Sequence, residues 1–371
     1  MTTSVLLVLN VGSSSIKFQV FEHDSLSVLI AGKVAGIGTA SAQLSAHVAA
    51  TGTALHTPLP AADHGTAMAA VTDLIDQHDD GLHLAAVAHR VVHGGADFQE
   101  PVIVTPEIVA RLQKLSPLAP LHQPHNLAGI AASQRLSRHA LDIACFDTAF
   151  HAHITPLFQT FALPHALRAQ GVRRYGFHGL SYEWLSHELA RTEPGLHGAR
   201  VVAAHLGNGA SLCAMQAGRS VDTTMGMTAL DGVPMGTRCG AIDAGAVAYM
   251  QRELGLDVAQ LERMLYEESG LKGLSGVSSD MQALLASTDP RAAFAVEYFT
   301  LKVAQYAAML AVSLGGLDAL VFTGGIGENA QPVRDAILAR MRMLGPFRTL
   351  VIAANEEKMM ALHAKRLLAR Q

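Results

Sequence analysis

Two stretches of this chain share one pattern, in which an apolar strand leads through a Gly-, Ser- or Asn-rich turn into a second apolar strand. The first reads VLLVLNVGSSSIKFQVF and the second VVAAHLGNGASLCAM, and they lie roughly 195 positions apart. Asn-Gly between two apolar runs predicts a β-hairpin. Because glycine has no Cβ, main-chain N–H groups in such turns can approach an anion. The pair predicts two related halves that face a shared cleft.

Composition restricts the class of protein. With 371 residues, 50% hydrophobic and 16% charged, the chain can fill two cores. The formal net charge is −4 and there is no long Lys/Arg run, so we expect no nucleic-acid partner. No apolar stretch reaches the roughly 18 residues that span a bilayer, and no basic segment precedes the first apolar run. Three widely spaced cysteines match no metal or disulfide pattern, so we expect a cytoplasmic location without a membrane partner.

Strand and helix patterns alternate along the chain, which predicts an α/β fold. The apolar strand 141–146 is expected to close the N-terminal domain, and 351–353 is expected to be a short strand. Loops are predicted at 117–124, which holds three prolines, and at 272–280, which is rich in Gly and Ser. Helices are predicted at 65–77, 106–115, 126–138, 181–191, 243–254, 258–269, 290–314 and 333–343, with a last helix from 355 onwards.

Four polar residues lie where strands or glycine turns end. Arg90 ends a buried strand, where its charge costs desolvation energy unless it meets an anion; a structural carboxylate is the other reading. Asp147 lies at the carboxyl edge of the next strand. His178 lies in a Gly-X-His-Gly turn, where it either faces a ligand or caps the following helix, and Arg238 follows a glycine.

A strand at 319–322 leads into the glycine turn 323–329 and then into a helix. This arrangement offers main-chain amides and a helix N-terminus to a nucleotide. Its spacing matches neither GxGxxG nor a P-loop. The candidate set is cationic and rich in amides, with few acids and no Ser-His-Asp or metal-ligand pattern. It indicates phosphoryl transfer. That reaction needs hydrogen-bond donors around the negative charge that is spread over the phosphoryl oxygens, and it needs a magnesium site.

Five motifs, in order over almost the whole chain, resemble the signatures of the acetate kinases. They are NVGSSSIK at 10–17, YGFHG at 175–179, HLGNG at 205–209, MGTR at 235–238 and FTGGIGEN at 322–329. The resemblance implies two duplicated actin-like (ribonuclease H-like) domains with a cleft between them. Their expected bounds are 1–148 and 149–354; helix 355–371 packs back on the first domain, and the second carries most of the nucleotide site.

The resemblance also implies an activity and a set of partners. It implies a homodimer that transfers a phosphoryl group reversibly from ATP to acetate, giving acetyl phosphate and ADP, with Mg2+ or alternatively Mn2+. Asn10 and Glu356 are implied to serve the magnesium site, and both offer the oxygen ligands of a hard cation. Arg90 is implied to anchor the carboxylate of the acid, while His178 and Arg238 clamp the transferring phosphoryl group.

The remaining site residues also follow from the resemblance. Asp147 is implied to be an acid/base residue, but acetate is already ionised at pH 7, so orienting Arg238 or a magnesium-bound water fits better. The implied acyl pocket consists of Val92, Leu121, Phe177 and Ala229. The implied nucleotide site consists of Lys17, His205, Leu206, Gly207, Asn208, Gly209, Asp280, Met281, Gln282, Gly324, Gly325, Ile326, Gly327 and Glu328.

The chain departs from the family pattern in four places. Ala229 stands in a stretch where the family commonly has proline, which predicts a larger acyl pocket and makes propionate a closer co-substrate. Gln282 replaces an arginine, which removes a cationic contact from the nucleotide segment. The stretch 239–244 lacks an acid at 241 and a proline at 244, and roughly twenty residues are missing between 346 and 351.

Three other functions compete with an acetate kinase. The nearest is a propionate kinase or a broader short-chain acyl kinase. A pyrophosphate-using relative is favoured by Gln282 and opposed by the intact turn at 324–329. A non-catalytic actin-like nucleotide-binding protein needs the phosphate hairpins but not Arg90, His178 and Arg238, and all three are present.

Overall fold

The computed structural model describes residues 3–78, 81–136 and 139–371. The chain forms two compact units. Unit 1 contains the residues up to Ala149 together with Asn355–Gln371, and unit 2 is Phe150–Ala354. The last helix therefore belongs to the same unit as the N-terminal strands.

Unit 1 is built on one mixed sheet of eight strands in the order β5-β4-β3-β2-β1-β6-β8-β7. β1 pairs antiparallel with β2 and parallel with β6, and β6 pairs parallel with β8. Their apolar side chains form the core with the first helix. The strands are β1 Thr3–Val11, β2 Ser15–Glu22, β3 Val28–Ala35, β4 Gln43–Val48, β5 Thr53–Pro58, β6 Leu82–Val91, β7 Val102–Ile103 and β8 Leu141–Phe146.

The helices of unit 1 are α1 His64–Asp76, α2 Pro106–Gln113, α3 Gln123–Leu136 and α15 Glu356–Leu368. Helix α15 packs on β1 and β6. The predicted loop 117–124 is wrong at its end, because α3 begins at Gln123. Proline is accepted in the first helical turn, where its missing N–H has no partner to lose, so Pro124 fits as the second residue of this helix. The last two residues of the predicted helix 126–138 lie outside the described residues.

Unit 2 repeats the central pattern of unit 1 in a five-stranded sheet of order β11-β10-β9-β12-β13. β9 pairs antiparallel with β10 and parallel with β12, which pairs parallel with β13. The order β3-β2-β1-β6-β8 thus matches β11-β10-β9-β12-β13, which confirms the duplicated α/β domains. These strands are β9 Val201–Leu206, β10 Ala210–Gln216, β11 Arg219–Thr223, β12 Ala319–Thr323 and β13 Arg348–Val351.

Most of the helices of the chain belong to unit 2. The longest, Pro290–Leu314, has the predicted bounds, with Asp289 as N-cap and Gly315 at its end. The described α-helices of unit 2 are α4 Pro156–Gln159, α5 His165–Arg168, α6 Gly179–Thr192, α7 Pro194–His197, α8 Ala244–Glu253, α9 Val258–Arg263, α10 Gly270–Ser275, α11 Met281–Ala286, α12 Pro290–Leu314, α13 Gly324–Asn329 and α14 Gln331–Met341.

Several local predictions for unit 2 are wrong. The predicted helix 258–269 changes at Met264 into a π-helical turn, and the first part of the predicted loop 272–280 is helical up to Ser275. The predicted strand 351–353 lies earlier, at Arg348–Val351. The segment 324–329, predicted as a glycine turn, is a short helix. Over the three described ranges, no helix is both long enough and apolar enough to cross a membrane.

Candidate active site

The first glycine turn, in unit 1, connects β1 and β2. Gly12 N–H donates to the Ser15 carbonyl at 2.8 Å, which closes the turn. Asn10 lies inside β1 opposite Lys17, not in the turn. Asn10 therefore does not correspond to Asn208, which lies in the turn of the second hairpin. Lys17 is exposed and faces Lys33 across the β2–β3 ladder.

Three charged residues meet at the ends of β6, β8 and α15. Arg90 donates from Nε to Asp147 Oδ1 at 3.0 Å and from Nη2 to Oδ2 at 2.6 Å. Its Nη1 lies 3.6 Å from Glu356 Oε2. The side chains of Arg90, Asp147 and Glu356 are 23%, 1% and 12% exposed. Asp147 thus holds the Nε/Nη2 edge of the guanidinium, and the Glu356 carboxylate lies near Nη1.

Burial and pairing shift the titration of this cluster. Burial opposes the charge of Arg90, but attraction to Asp147 and then to Glu356 outweighs it, so the pKa of Arg90 is raised. Burial raises the pKa of Asp147, and the attraction of Arg90 offsets only part of that shift. When all three groups are ionised, the cluster carries one net negative charge, which favours a nearby cation.

Asn126 joins the first turn to the end of β6, and the sequence analysis did not identify it. Its Nδ2 donates to the Val11 carbonyl at 2.8 Å, and its Oδ1 accepts from Val92 N–H at 2.9 Å. It is buried, so both bonds are shielded from water. The one local signal at Asn126 is its position two residues after a proline, near the start of α3. No local pattern predicts hydrogen bonds to main-chain groups that are 34 and 115 positions away.

The second glycine turn, in unit 2, is Gly207-Asn208-Gly209 between β9 and β10. Gly207 N–H donates to the Gly209 carbonyl at 3.0 Å. A Cβ at position 207 would lie 3.9 Å from Gly325 N, so this turn and the start of α13 are neighbours. A Cβ at position 209 would lie 3.2 Å from His178 Nε2 and 4.0 Å from Arg238 Nη1. The turn thus brings main-chain amides, an imidazole and a guanidinium together.

His178 lies at the N-cap of α6 in the left-handed region, with φ +57°. That conformation is unfavourable for a residue with a side chain and is maintained by surrounding contacts. The His178 ring stacks on His205 with centroids 4.4 Å apart, and its Nδ1 is hydrogen-bonded to Ser211 Oγ at 2.8 Å. His205 Nδ1 is bonded in turn to Ser181 Oγ at 2.8 Å. His178 is thus oriented by side-chain contacts and does not cap α6 with its side chain.

Arg238 is directed by main-chain groups. Its Nη1 donates to the Ala229 carbonyl at 2.9 Å and lies 3.7 Å from Met235 Sδ. Arg174 Nη1 donates to the carbonyls of Thr223, Thr224 and Met225, which holds the loop that carries Ala229. The sequence analysis did not identify Arg174, because three carbonyl partners on one loop cannot be read from sequence.

The predicted nucleotide segment 280–282 begins a helix. Asp280 is the N-cap of α11 and accepts from Ala283 N–H at 2.8 Å. Gln282 is exposed, whereas the Met281 side chain is buried, so Met281 can offer a ligand only its main chain. A Cβ at Gly236 would lie 3.3 Å from the Ser279 carbonyl, and Gly236 N–H donates to the Asn208 carbonyl at 3.0 Å. This segment therefore adjoins the second glycine turn.

Helix α13 accounts for Gly324, Gly325, Ile326, Gly327 and Glu328. Glu328 Oε1 accepts from Gly324 N–H at 2.9 Å and from Ala354 N–H at 3.0 Å, so this side chain closes its own helix. The Gly324 N–H is therefore already hydrogen-bonded within the protein, whereas the sequence predicted a turn that offers its main-chain amides to a nucleotide. The Thr323 hydroxyl, at the end of β12, is buried and has no hydrogen-bond partner among the described residues. It is a polar group beside the turn that sequence reasoning did not single out.

The residues implied to form the acyl pocket differ in environment. Val92 and Phe177 are buried, and the Phe177 carbonyl accepts from His151 Nε2 at 2.9 Å. Leu121 is exposed, and Ala229 is half-buried. Val92 and Leu121 belong to unit 1, and Phe177 and Ala229 belong to unit 2.

The implied magnesium ligands are compatible with Mg2+. Glu356 is the first residue of α15 and lies beside Arg90, and Asn10 is the last but one residue of β1, on which α15 packs. In the part of the chain that the structure describes, no group of three or more His, Cys, Asp or Glu side chains is placed to hold a metal ion. Mg2+ commonly takes only one or two protein oxygens and completes its shell with phosphates and water, so this sparse set fits.

Comparison with known proteins shows the family of the chain. The sequence profile of the acetokinase family matches residues 5–362. The chain is 48% identical over 350 residues to an acetate kinase of Rhodopseudomonas palustris strain TIE-1, covering 92% of this chain and 87% of that protein. The crystal structure of a propionate kinase from Francisella tularensis superposes with TM-score 0.91 and 34% identity over 97% of this chain and 98% of the other. Porphyromonas gingivalis acetate kinase superposes with TM-score 0.87 and 32% identity over 98% of this chain and 100% of the other.

The duplicated sheets together with the family match place the chain among the actin-like phosphotransferases, so the protein is an enzyme. The chain belongs to the acetokinase family.

Proposed function

We propose that this enzyme is an acetate kinase that transfers a phosphoryl group reversibly from ATP to acetate, giving acetyl phosphate and ADP. The observation that carries the proposal is the arrangement in unit 2, where a Cβ at Gly209 would meet both His178 Nε2 and Arg238 Nη1. Donors placed around one point suit the three equatorial oxygens of a transferring phosphoryl group. Catalysis then depends on positioning and charge stabilisation, and acetate attacks as the ionised carboxylate.

Unit 1 supplies the groups for the acid in this proposal. Arg90 is proposed to bind the acetate carboxylate through Nη1, because Asp147 holds Nε and Nη2, whereas Glu356 lies 3.6 Å from Nη1, beyond hydrogen-bond distance. Asp147 accordingly acts on Arg90. Its proposed roles toward Arg238 or a magnesium-bound water, and any transfer of a proton, stay predictions. Val92, Leu121, Phe177 and Ala229 are proposed to contact the methyl group.

Unit 2 supplies most of the nucleotide site in this proposal. The amides of the second glycine turn and of α13 are proposed to hold the phosphates, with the segment 280–282 beside the nucleoside and Lys17 of unit 1 contributing charge. Asn10 and Glu356 are proposed to serve Mg2+, which neutralises phosphate charge when bound. A homodimer in the cytoplasm also belongs to the proposal.

The direct test traps acyl phosphate with hydroxylamine, using purified protein with ATP and Mg2+ against acetate, propionate and butyrate. We expect turnover with acetate, loss of turnover with EDTA, and recovery when Mg2+ is restored. If acyl phosphate forms with pyrophosphate but not with ATP, the phosphoryl donor is pyrophosphate, and the replacement of arginine by Gln282 is the expected reason. No product with either donor would reject the proposed function.

Propionate is the second candidate acceptor, since the Francisella relative is a propionate kinase and Ala229 stands where proline is common in the family. One methylene is worth about 1–3 kcal/mol in a hydrophobic pocket, or roughly a 10- to 200-fold preference. We expect Ala229→Pro to shift the ratio of kcat/KM for acetate over propionate toward acetate. An unchanged ratio would show that Ala229 does not set the size of the pocket.

A further inference from the structure

Two buried hydroxyl groups in unit 2 form a hydrogen-bonded row that ends at His178. The proposed function gives neither hydroxyl group a role. Tyr182 Oη lies 2.6 Å from Ser211 Oγ, which lies 2.8 Å from His178 Nδ1. Tyr182 and Ser211 are fully buried. His178 and Tyr182 are four residues apart, and Tyr182 N–H donates to the His178 carbonyl at 3.1 Å, so both side chains leave the same face of the first turn of α6. Ser211 lies opposite them on β10.

This row of hydrogen bonds determines which ring nitrogen of His178 faces the second glycine turn. Since Nδ1 is bonded to Ser211 and the ring stacks on His205, Nε2 is directed toward Gly209, where a Cβ would lie only 3.2 Å away. A ring flipped by 180° would lose the bond to Ser211 and place carbon atoms there. The Ser211 contact is therefore compatible with one ring orientation.

The hydroxyl chain suits both protonation states of the imidazole. With a neutral ring, Tyr182 donates to Ser211, Ser211 donates to Nδ1, and the ring hydrogen resides on Nε2. With a protonated ring, Nδ1–H donates to Ser211 and Ser211 donates to Tyr182, because each hydroxyl can donate or accept. In both of these arrangements Nε2 carries a hydrogen, whereas a neutral ring whose Nδ1–H donates to Ser211 would present Nε2 as an acceptor. Since a phosphoryl oxygen is an acceptor, only the first two arrangements suit the phosphoryl clamp.

We propose that Tyr182 is a positioning residue, which acts through Ser211 to keep an Nε2–H of His178 directed at the transferring phosphoryl group. This inference rests on the proposed function, which assigns His178 to the phosphoryl clamp. Its consequence is that kcat depends on a phenol hydroxyl that contacts neither substrate. A tyrosine that only fills space in the core would not show this dependence.

Tyr182→Phe removes the hydroxyl and keeps the ring. We expect kcat to fall roughly 3- to 10-fold, the effect of one net hydrogen bond, with KM for ATP and acetate within about twofold of wild type. Ser211→Ala should lower kcat further, because the ring loses its anchor, and Ser211→Thr should recover most of the activity. Tyr249→Phe, at an exposed tyrosine of α8, is the control, and kcat should stay within about twofold.

A double-mutant cycle separates positioning from stability. In a His178→Ala background, Tyr182→Phe should have almost no further effect on kcat, because the group it positions is gone. If Tyr182→Phe lowers kcat by the same factor in both backgrounds, or changes KM and leaves kcat unchanged, the inference is overturned.

A spectroscopic measurement tests the inference independently of turnover. Long-range 1H–15N NMR of 15N-histidine-labelled protein, assigned by difference from His178→Ala, should show a hydrogen on Nε2 of His178 in the wild type and mixed tautomers in Ser211→Ala. A hydrogen on Nδ1 alone in the wild type would overturn the inference. If the Nε2–H form is present but His178→Ala retains full acyl kinase activity, the clamp assignment fails and the tautomer result stands.

Discussion

At the scale of single residues, the described contacts indicate what Asp147 does for Arg90. The two form a buried bidentate ion pair, in which Asp147 is 1% exposed. Removing one partner of such a pair leaves an uncompensated charge, which destabilises proteins by about 3–5 kcal/mol. We therefore expect Asp147 both to stabilise unit 1 and to orient Arg90.

We expect Asp147→Asn to raise KM for acetate roughly 10- to 100-fold, since a charge-assisted hydrogen bond that orients Arg90 is lost. Steady-state kinetics with varied acetate measure this. Asp97→Asn is the control, because Asp97 forms an exposed ion pair with Arg111 in the same unit. A large loss of kcat at unchanged KM would instead assign Asp147 to the transition state, as an acid/base residue would require.

Arg238 is proposed to stabilise negative charge on the transferring phosphoryl group. We expect Arg238→Ala to lower kcat by roughly 10²- to 10³-fold, the typical loss of one donor to transition-state charge, while ATP binding measured by calorimetry changes little. Arg252→Ala, at an exposed arginine of α8, is the control. Near-wild-type turnover by the Arg238 variant would reject its role in the clamp.

At the scale of secondary-structure elements, His151 ties the segment before α6 to the sheet of unit 2. It donates from Nε2 to the Phe177 carbonyl at 2.9 Å, and its Nδ1 is 2.8 Å from Ser220 Oγ on β11. Burial lowers the pKa of His151 to about 4, and the bond to Phe177 opposes this shift only in part. The ring is neutral at pH 7, so Nδ1 accepts the hydrogen of Ser220.

The depressed pKa makes stability depend on pH. Below about pH 6.5 the unfolded chain binds a proton at His151 that the folded chain binds only near pH 4, so acidification favours unfolding. A shift from 6.5 to about 4 removes about 3 kcal/mol of stability between pH 6.5 and pH 4, and the loss is complete below pH 4. Urea unfolding followed by fluorescence of Trp184, the single tryptophan, measures this for unit 2.

His151→Gln should flatten this pH dependence, because the titrating group is gone, while the exposed His153→Gln should leave it unchanged. A His151→Gln protein with the same slope as wild type between pH 4 and pH 6.5 would assign the acid sensitivity to other groups. Since His151 holds the residue before His178, we also expect the variant to be less active.

At the scale of the whole molecule, an exposed apolar stripe follows helix α12. Phe294, Leu301, Met309 and Val312 are exposed along this 25-residue helix, and Val312 is 82% exposed. Helical spacing places them on one face, opposite the buried residues. Such a face is typical of an association surface, which makes it our candidate for the predicted homodimer.

We expect Leu301→Arg together with Val312→Arg to convert a dimer into a monomer, since two charges would face an apolar partner. Sedimentation velocity over a range of concentrations measures this. Leu157→Arg, at an exposed leucine of α4, is the control. A wild-type protein that is monomeric at all concentrations would reject the homodimer, and an unaffected double variant would place the interface elsewhere.

Much of this molecule follows from the sequence by itself, because the signals are local. Asp289, Pro290 and Gly315 mark the ends of α12, and the two glycine turns mark the hairpins of the duplicated sheets. The motifs around His178 and Arg238 led to the acetokinase family. Capping, turn chemistry and hydrophobic periodicity act over a few residues, so they can be read before the chain folds.

Only the tertiary structure shows the partners of the key side chains. Asp147 is 57 positions from Arg90, and Ser211 is 33 positions from His178. Glu328 accepts from Gly324 N–H within the helical segment 324–329, and it also accepts from Ala354 N–H, 26 positions away. These contacts satisfy buried charges and hydrogen-bonding groups between residues that are distant in sequence. Their free energy depends on desolvation and geometry that exist only in the packed unit, so no local pattern specifies them.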